Sequence, residues 1–192
     1  MQNLEELVSK LEEQQYSRYA MYLSHIQFIT KNFHSKNWIN PKMIEFGGSN
    51  YFIKDIFAHP NYEIVDNYPI IDLHDLSNFK PNCYDFVILD EVLEHIARPW
   101  IAIKEVYRIL KIGGCLICSS PFLIAKHKCP NDYWRFTKEG FYELLSDFES
   151  VEVHSWGNSL SVCYLLNDMM ASTRKAKKDK INCFLLLLLQ NR

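Results

Sequence analysis

The 192-residue chain sets 21 Lys and Arg against 23 Asp and Glu, a net charge of -2, and 48% of its residues are hydrophobic. That balance excludes a global field able to gather nucleic acid or an anionic membrane surface, and the length suits one domain with a real core. The longest apolar run, residues 183–189, falls far short of the roughly 20 residues that cross a bilayer and reads as a buried strand.

From the N-terminus, Leu4, Leu7, Val8 and Leu11, then Tyr19, Tyr22, Leu23, Ile26, Ile29 and Phe33, recur at helical spacing. They predict one or two amphipathic helices with a polar break at Gln14 and Gln15. Pro41 closes this region, so residues 1–40 are expected to form a helical extension or lid and residues 41–192 the main domain. Strands and helices then alternate. "MIEF" is a short strand, and Phe52, Ile53, Ile56 and Phe57 mark one face of a short helix. "YEIVD" and the very short "PIID" (residues 69–72) read as strands, and "YDFVILD" as a strand covered on both faces. Pro99 suits the first turn of a helix whose Ile103, Val106, Tyr107 and Leu110 face the core, with Gly113 and Gly114 as its C-cap. "CLICSS" is the next strand, and Thr137 caps a helix carrying Phe141, Leu144, Leu145 and Phe148. "VEVHSW" and "CFLLLLL" complete the strands, while the basic run at residues 174–180 reads as a solvated loop.

This alternation implies right-handed crossovers and a mostly parallel sheet. Ligands in such sheets bind beyond the carboxyl ends of the strands, near the switch point. The loops after Phe46, Asp66, Asp72, Asp90 and Ser120 are all polar or glycine-rich. Gly47 and Gly48 allow a sharp turn close to a ligand, and Ser49 or Asn50 can cap the helix that follows. A tight strand–helix turn without a ligand has the same composition, and the G-x-G-x-x-G dinucleotide pattern is absent. Asp66 ends the second strand about 20 residues beyond the glycines, where a carboxylate can accept from both ribose hydroxyls. Asp72 can accept from an adenine amino group. Either residue could equally be a turn former.

One stretch carries a resemblance. "YDFVILDEVLEHIARPWIAIKEVYRILKIGGCLICSSPF" resembles the central block of class I S-adenosylmethionine-dependent methyltransferases: Tyr84-Asp85, Leu93-Glu94-His95, Arg108 to Lys111, Gly113-Gly114 and Pro121 stand at the motif positions. "HKCPNDYWRFTKEGFYELL" resembles a methyltransferase type 11-like subgroup with a His-x-x-Pro-x-Asp-Tyr-Trp-Arg-Phe-Thr signature. The glycine turn departs from the family pattern, with Ser49 and Tyr51 at the later glycine positions. The resemblance implies a Rossmann-like, mostly parallel sheet with helices on both faces and an antiparallel final strand. It also implies S-adenosylmethionine as cofactor. Glu45 and Gly47 would then line its methionine end, with Gly48 and Ser49 among the cofactor-binding residues, Asp66 at its ribose and Asp72 at its adenine amine, and Asp90 and Glu91 closing near the sulfonium.

Methyl transfer by in-line displacement needs alignment and exclusion of water, and a base only where the nucleophile binds protonated. His127 and Asp132 are the candidates for that role; alternatively, Asp132 pairs with Arg135 while Tyr133, Trp134 and Phe136 pack the loop. His95 is expected to orient the turn before the Pro99 helix. Cys115, Cys118, His127 and Cys129 could be read as zinc ligands. However, Cys115 and Cys118 share one strand and point to opposite faces, so no metal is expected. The polar, acidic start with no apolar leader leads us to expect a cytoplasmic protein with reduced cysteines. The expected partner is a small-molecule acceptor, sugar-like or a secondary metabolite, methylated on O or N. Nucleic acid and membrane are not expected, and a homodimer is allowed. Two other classes compete: a non-catalytic module on the same fold, favoured by the altered glycine turn, and an NAD-dependent oxidoreductase, which the missing glycines oppose.

Overall fold

The computed structural model describes residues 23, 25–28, 30–31, 40–47, 54, 60–66, 71–123, 126 and 131–155, and the backbone alone of 156 and 184–190. Six strands form one sheet: β1 (Met43–Phe46), β2 (Tyr62–Val65), β3 (Tyr84–Asp90), β4 (Leu110–Pro121), β5 (Ser150–Trp156) and β6 (Phe184–Gln190), in the order β2-β1-β3-β4-β6-β5. The first four run parallel, and β6 lies antiparallel between β4 and β5. This is the Rossmann-like sheet with an antiparallel final strand that the sequence implied. The chain runs from β1 outward to β2, then returns to place β3 on the other side of β1, so the switch point lies between β1 and β3.

Six of the seven residues of β3 are buried, as its apolar run requires of a strand enclosed by neighbours and covered on both faces. Alternation divides the core. Ile44, Phe46, Val87, Leu89, Leu116 and Cys118 face one cluster with Ala102, Ile103 and Val106 of helix α1 (Pro99–Ile109). Phe141, on helix α2 (Lys138–Leu144), and Leu145 and Phe148 just beyond it join the same cluster. The residues of opposite parity, Met43, Phe86, Ile88, Cys115 and Ile117, are equally inaccessible. Ile26 and Phe28, among the helical residues near the N-terminus, are buried too. Pro99 opens α1 as expected, since the first turn needs no amide donor there. Thr137 caps α2 by accepting the Gly140 amide at 3.1 Å.

Two local expectations are corrected. Gly113 and Gly114 do not cap α1: the helix ends at Leu110, already extended, and β4 begins there. The glycines lie inside β4 where its register against β3 slips, Leu110 facing Tyr84 but Cys115 facing Phe86. Gly113 has φ +75, and a Cβ on Gly114 would meet the Lys111 carbonyl at 2.9 Å. Extra strand residues are taken up as a bulge, which glycine accommodates. The second correction concerns "PIID". In its described part, Ile71 is a bend and Asp72 is irregular. Asp72 and Asp75 instead turn the chain, accepting from the amides of His74 (2.9 Å) and Ser77 (3.0 Å). Short carboxylate side chains compete in this way for amides that a strand would need. The loop is then fastened to α1: Glu105 accepts the Leu76 amide at 3.0 Å, and Arg108 donates to the carbonyls of Leu76 and Phe79.

The helix expected around Phe52 to Phe57 lies outside the described residues except for Lys54, which is helical. Residues 1–22, Ile29, Phe33 and the basic run at 174–180 also lie outside them. Among the described residues, no helix is long and apolar enough to cross a membrane.

Candidate functional site at the strand ends

Glu45 is the third residue of a four-residue strand and 2% exposed. The Tyr62 hydroxyl donates to its Oε2 at 2.6 Å from the start of β2. Burial pushes the Glu45 carboxyl up to about 7; the Tyr62 bond opposes this, and the charges of Asp90 and Asp66 add to it. Three expected site residues, Glu45 in β1, Asp66 just past β2 and Asp90 at the end of β3, therefore share one electrostatic field. Gly47 follows β1 with φ +96, and its amide reaches the Val65 carbonyl at 3.0 Å. A Cβ there would stand 2.6 Å from Val92 Cγ2. The β1 turn and the loop after β3 thus touch at the switch point, and only glycine fits without strain.

The loop after β3 is fixed tightly. Ser119, on neighbouring β4, donates its hydroxyl to Asp90 Oδ1 at 2.6 Å and accepts the Glu91 amide at 3.0 Å. Glu91 takes the left-handed conformation at φ +54, which a side chain adopts at a cost of about 1 kcal/mol or more. Glu94, in the 3-10 turn Leu93–His95, is fully buried and receives the Ser120 hydroxyl at 3.3 Å. Burial raises its carboxyl to about 7, partly offset by the Ser120 bond and by Arg135.

Asp132 is 2% exposed at its side chain and makes a two-pronged pair with Arg135, at 2.5 and 2.7 Å. Of the two roles open to it from sequence, pairing is the one present in this geometry. Its segment is strapped to the 3-10 turn: the Tyr133 and Trp134 amides donate to the Glu94 carbonyl, Trp134 Nε1 to the Ile96 carbonyl, and His95 Nδ1 to the Asn131 carbonyl. His95 therefore joins the turn before α1 to the segment carrying Asp132.

Asp72 is not among the charges that shift Glu45. It is half-exposed, and its described partners are His74 and Arg98. Gly48, Ser49, Tyr51, His127 and Cys129 lie outside the described residues. Cys115 and Cys118 are both buried in β4, opposite Phe86 and Leu89. Sequence reasoning named Glu94 as a motif position without a role, and missed Tyr62, His74 and His25. His25 is wholly buried near the N-terminus; burial lowers its ring to about 4, and the charge of Asp90 opposes that. Only His74 left a signal, as a polar residue two places after an Asp, the spacing of a side-chain-to-amide turn.

Residues 39–118 match the family model of a methyltransferase domain. A demethylmenaquinone methyltransferase of Geobacillus sp. (strain WCH70) is 32% identical over 81 residues, which is 41% of this chain and 34% of that protein. The chain thus spans about a third of the length of the curated relative it matches. Among solved structures, a SAM-dependent methyltransferase from Archaeoglobus fulgidus superposes with a TM-score of 0.55 at 11% identity, over 88% of this chain and 98% of that one. The cyclase SpnF superposes at 0.57 with 11% identity, over 93% and 83%. At such identities these likenesses report the fold alone.

Proposed function

We propose that this chain, which carries a methyltransferase domain of the class I S-adenosylmethionine-dependent kind, binds that cofactor at the ends of β1, β2 and β3 and methylates a small molecule on oxygen or nitrogen. One observation carries the reading. Glu45, Asp66 and Asp90 converge electrostatically beside a glycine turn whose conformation and closeness to Val92 leave no room for a side chain. Glu45, buried within the field of the Asp66 and Asp90 carboxylates, gathers negative charge suited to a cation, and S-adenosylmethionine carries an ammonium and a sulfonium. The residues fit the group.

When bound, the cofactor supplies a methyl group on a positively charged sulfur, open to in-line displacement. Glu45, with Gly47, Gly48 and Ser49, would hold the methionine end. Asp66 would accept from the ribose hydroxyls and Asp72 from the adenine amine. Asp90, Glu91 and Val92 would wall the sulfonium from water, their loop held by Ser119. Residues 1–40 would cover the site as a lid on the 41–192 domain, a reading supported by the buried His25 and its coupling to Asp90. We assign His127 as the base for an acceptor that binds protonated, and Asp132 as the anchor of Arg135, keeping its segment seated on the 3-10 turn. The acceptor is a small polar or sugar-like metabolite, with neither nucleic acid nor membrane as partner, in a cytoplasmic protein.

A second reading, a non-catalytic module on the same fold, is favoured by Ser49 and Tyr51 at the later glycine positions. Calorimetry of the full chain with S-adenosylmethionine, S-adenosylhomocysteine and NAD separates the readings. Binding of the first two alone is expected. Silence towards all three would leave the module, and preference for NAD would leave the oxidoreductase. His127→Ala is expected to reduce turnover more than cofactor binding; equal loss of both would make this histidine structural.

A further inference from the structure

The turn after β2 contains a three-member chain of hydrogen bonds. Asp72 Oδ1 accepts twice from His74, from the backbone amide at 2.9 Å and from ring Nδ1 at 2.6 Å. The far side of the same ring, Nε2, accepts the Arg98 amide at 3.2 Å. Both ring nitrogens thereby have defined roles: Nδ1 carries the proton and Nε2 the lone pair. Arg98 precedes α1, whose Ala102, Ile103 and Val106 are locked into the core. The carboxylate is therefore held by a rigid helix and not only by its own loop. The His74 side chain is 15% exposed against 52% for Asp72, so the ring lies behind the carboxylate it supports. Among the described residues Asp72 receives hydrogen bonds on Oδ1 alone, which leaves Oδ2 for an incoming donor.

We propose that His74 is a positioning residue that orients the Asp72 carboxylate towards the amino group of an adenine, giving the chain its preference for a 6-aminopurine over a 6-oxopurine nucleoside. This rests on the adenine role proposed for Asp72. A carboxylate free to rotate accepts from a 6-amino group only after losing rotational freedom on binding. One already held meets the donor without that loss. Against a 6-oxo group the same oriented oxygen faces another acceptor, so holding it sharpens discrimination as well as affinity.

The experiment is calorimetric titration of the full chain with S-adenosylhomocysteine and its 6-oxo counterpart, S-inosylhomocysteine. The original chain is expected to prefer the adenine ligand by about tenfold or more, the worth of one good hydrogen bond. His74→Ala is expected to shrink that preference to about threefold or less, by weakening the adenine ligand alone. His74→Asn presents an amide N–H near the place of Nδ1 and should restore the preference. His74→Gln, which can reach the Arg98 amide but not Asp72, should not. Thermal unfolding of each variant shows whether it is folded. A preference unchanged in His74→Ala, or equal weakening of both ligands, overturns the positioning role. An original chain that binds neither ligand, or both equally, overturns the adenine role of Asp72 and this inference with it.

Discussion

The phenol of Tyr62 lies 2.6 Å from the carboxylate of Glu45, a bond across the parallel β1–β2 pair that meets an otherwise buried acid. Burial holds the Glu45 carboxyl up near 7, and this bond pulls it back down. Tyr62→Phe is therefore expected to move the pH midpoint of cofactor binding upward from near 7. A cationic ligand needs the carboxylate ionised, so affinity should rise with pH and level off above the midpoint. Calorimetry across pH 5.5 to 8.5 checks this, and Glu45→Gln should flatten the profile.

The same shifts bear on stability, with opposite signs. Glu45 and Glu94 are raised from 4.5 to about 7, so between those values the folded chain binds more protons than the unfolded one, and their contribution falls as pH rises. His25 is lowered from 6.5 to about 4, so its contribution rises with pH over that window. Urea unfolding of Glu94→Gln between pH 4.5 and 7 should lose part of the falling component. His25→Gln should lose the rising one.

Gly47→Ala puts a methyl group 2.6 Å from Val92 Cγ2 on a backbone at φ +96. A loss of about 1–3 kcal/mol is expected. Adding Val92→Ala relieves the collision but not the conformational cost, so the double variant should recover only part of the loss in denaturant melts.

Asp66, exposed just past β2, contributes to the field at Glu45. Asp66→Ala is expected to weaken cofactor binding by about tenfold or more through lost ribose hydrogen bonds. Unchanged binding by calorimetry would refute the ribose assignment.

Asp132→Ala leaves Arg135, one quarter exposed, without its two-pronged partner. Breaking such a pair from one side is expected to lower unfolding free energy by about 3 kcal/mol, with Asp132→Ala/Arg135→Met recovering much of it. Lost turnover with unchanged stability would instead return Asp132 to a catalytic role.

Legibility differed by kind of feature. The continuous burial of Tyr84 to Leu89, Pro99 at the start of α1 and Thr137 at the start of α2 are local rules, and each holds in the structure. Gly113 and Gly114 misled because glycine signals a helix end and a strand bulge equally well; the choice depended on how β4 registers against β3. "PIID" misled because two aspartates captured the amides of their own loop. The partner of Asp132 was legible as an i, i+3 pair. The partner of Glu45 lies 17 residues away and that of Glu94 lies 26 away, and nothing local announces either.

From its order of residues alone, this chain determined a mostly parallel sheet, the polar loops at its strand ends and the glycine turn, because apolar periodicity and turn chemistry act over a few neighbouring residues. Only the tertiary structure decided that Glu45, Asp66 and Asp90 share one field, that Gly47 rests against Val92, and that Asp72 is held through His74 to α1. Hydrogen bonds and buried charges take their strength from groups brought close by packing, and packing is a property of the whole sheet.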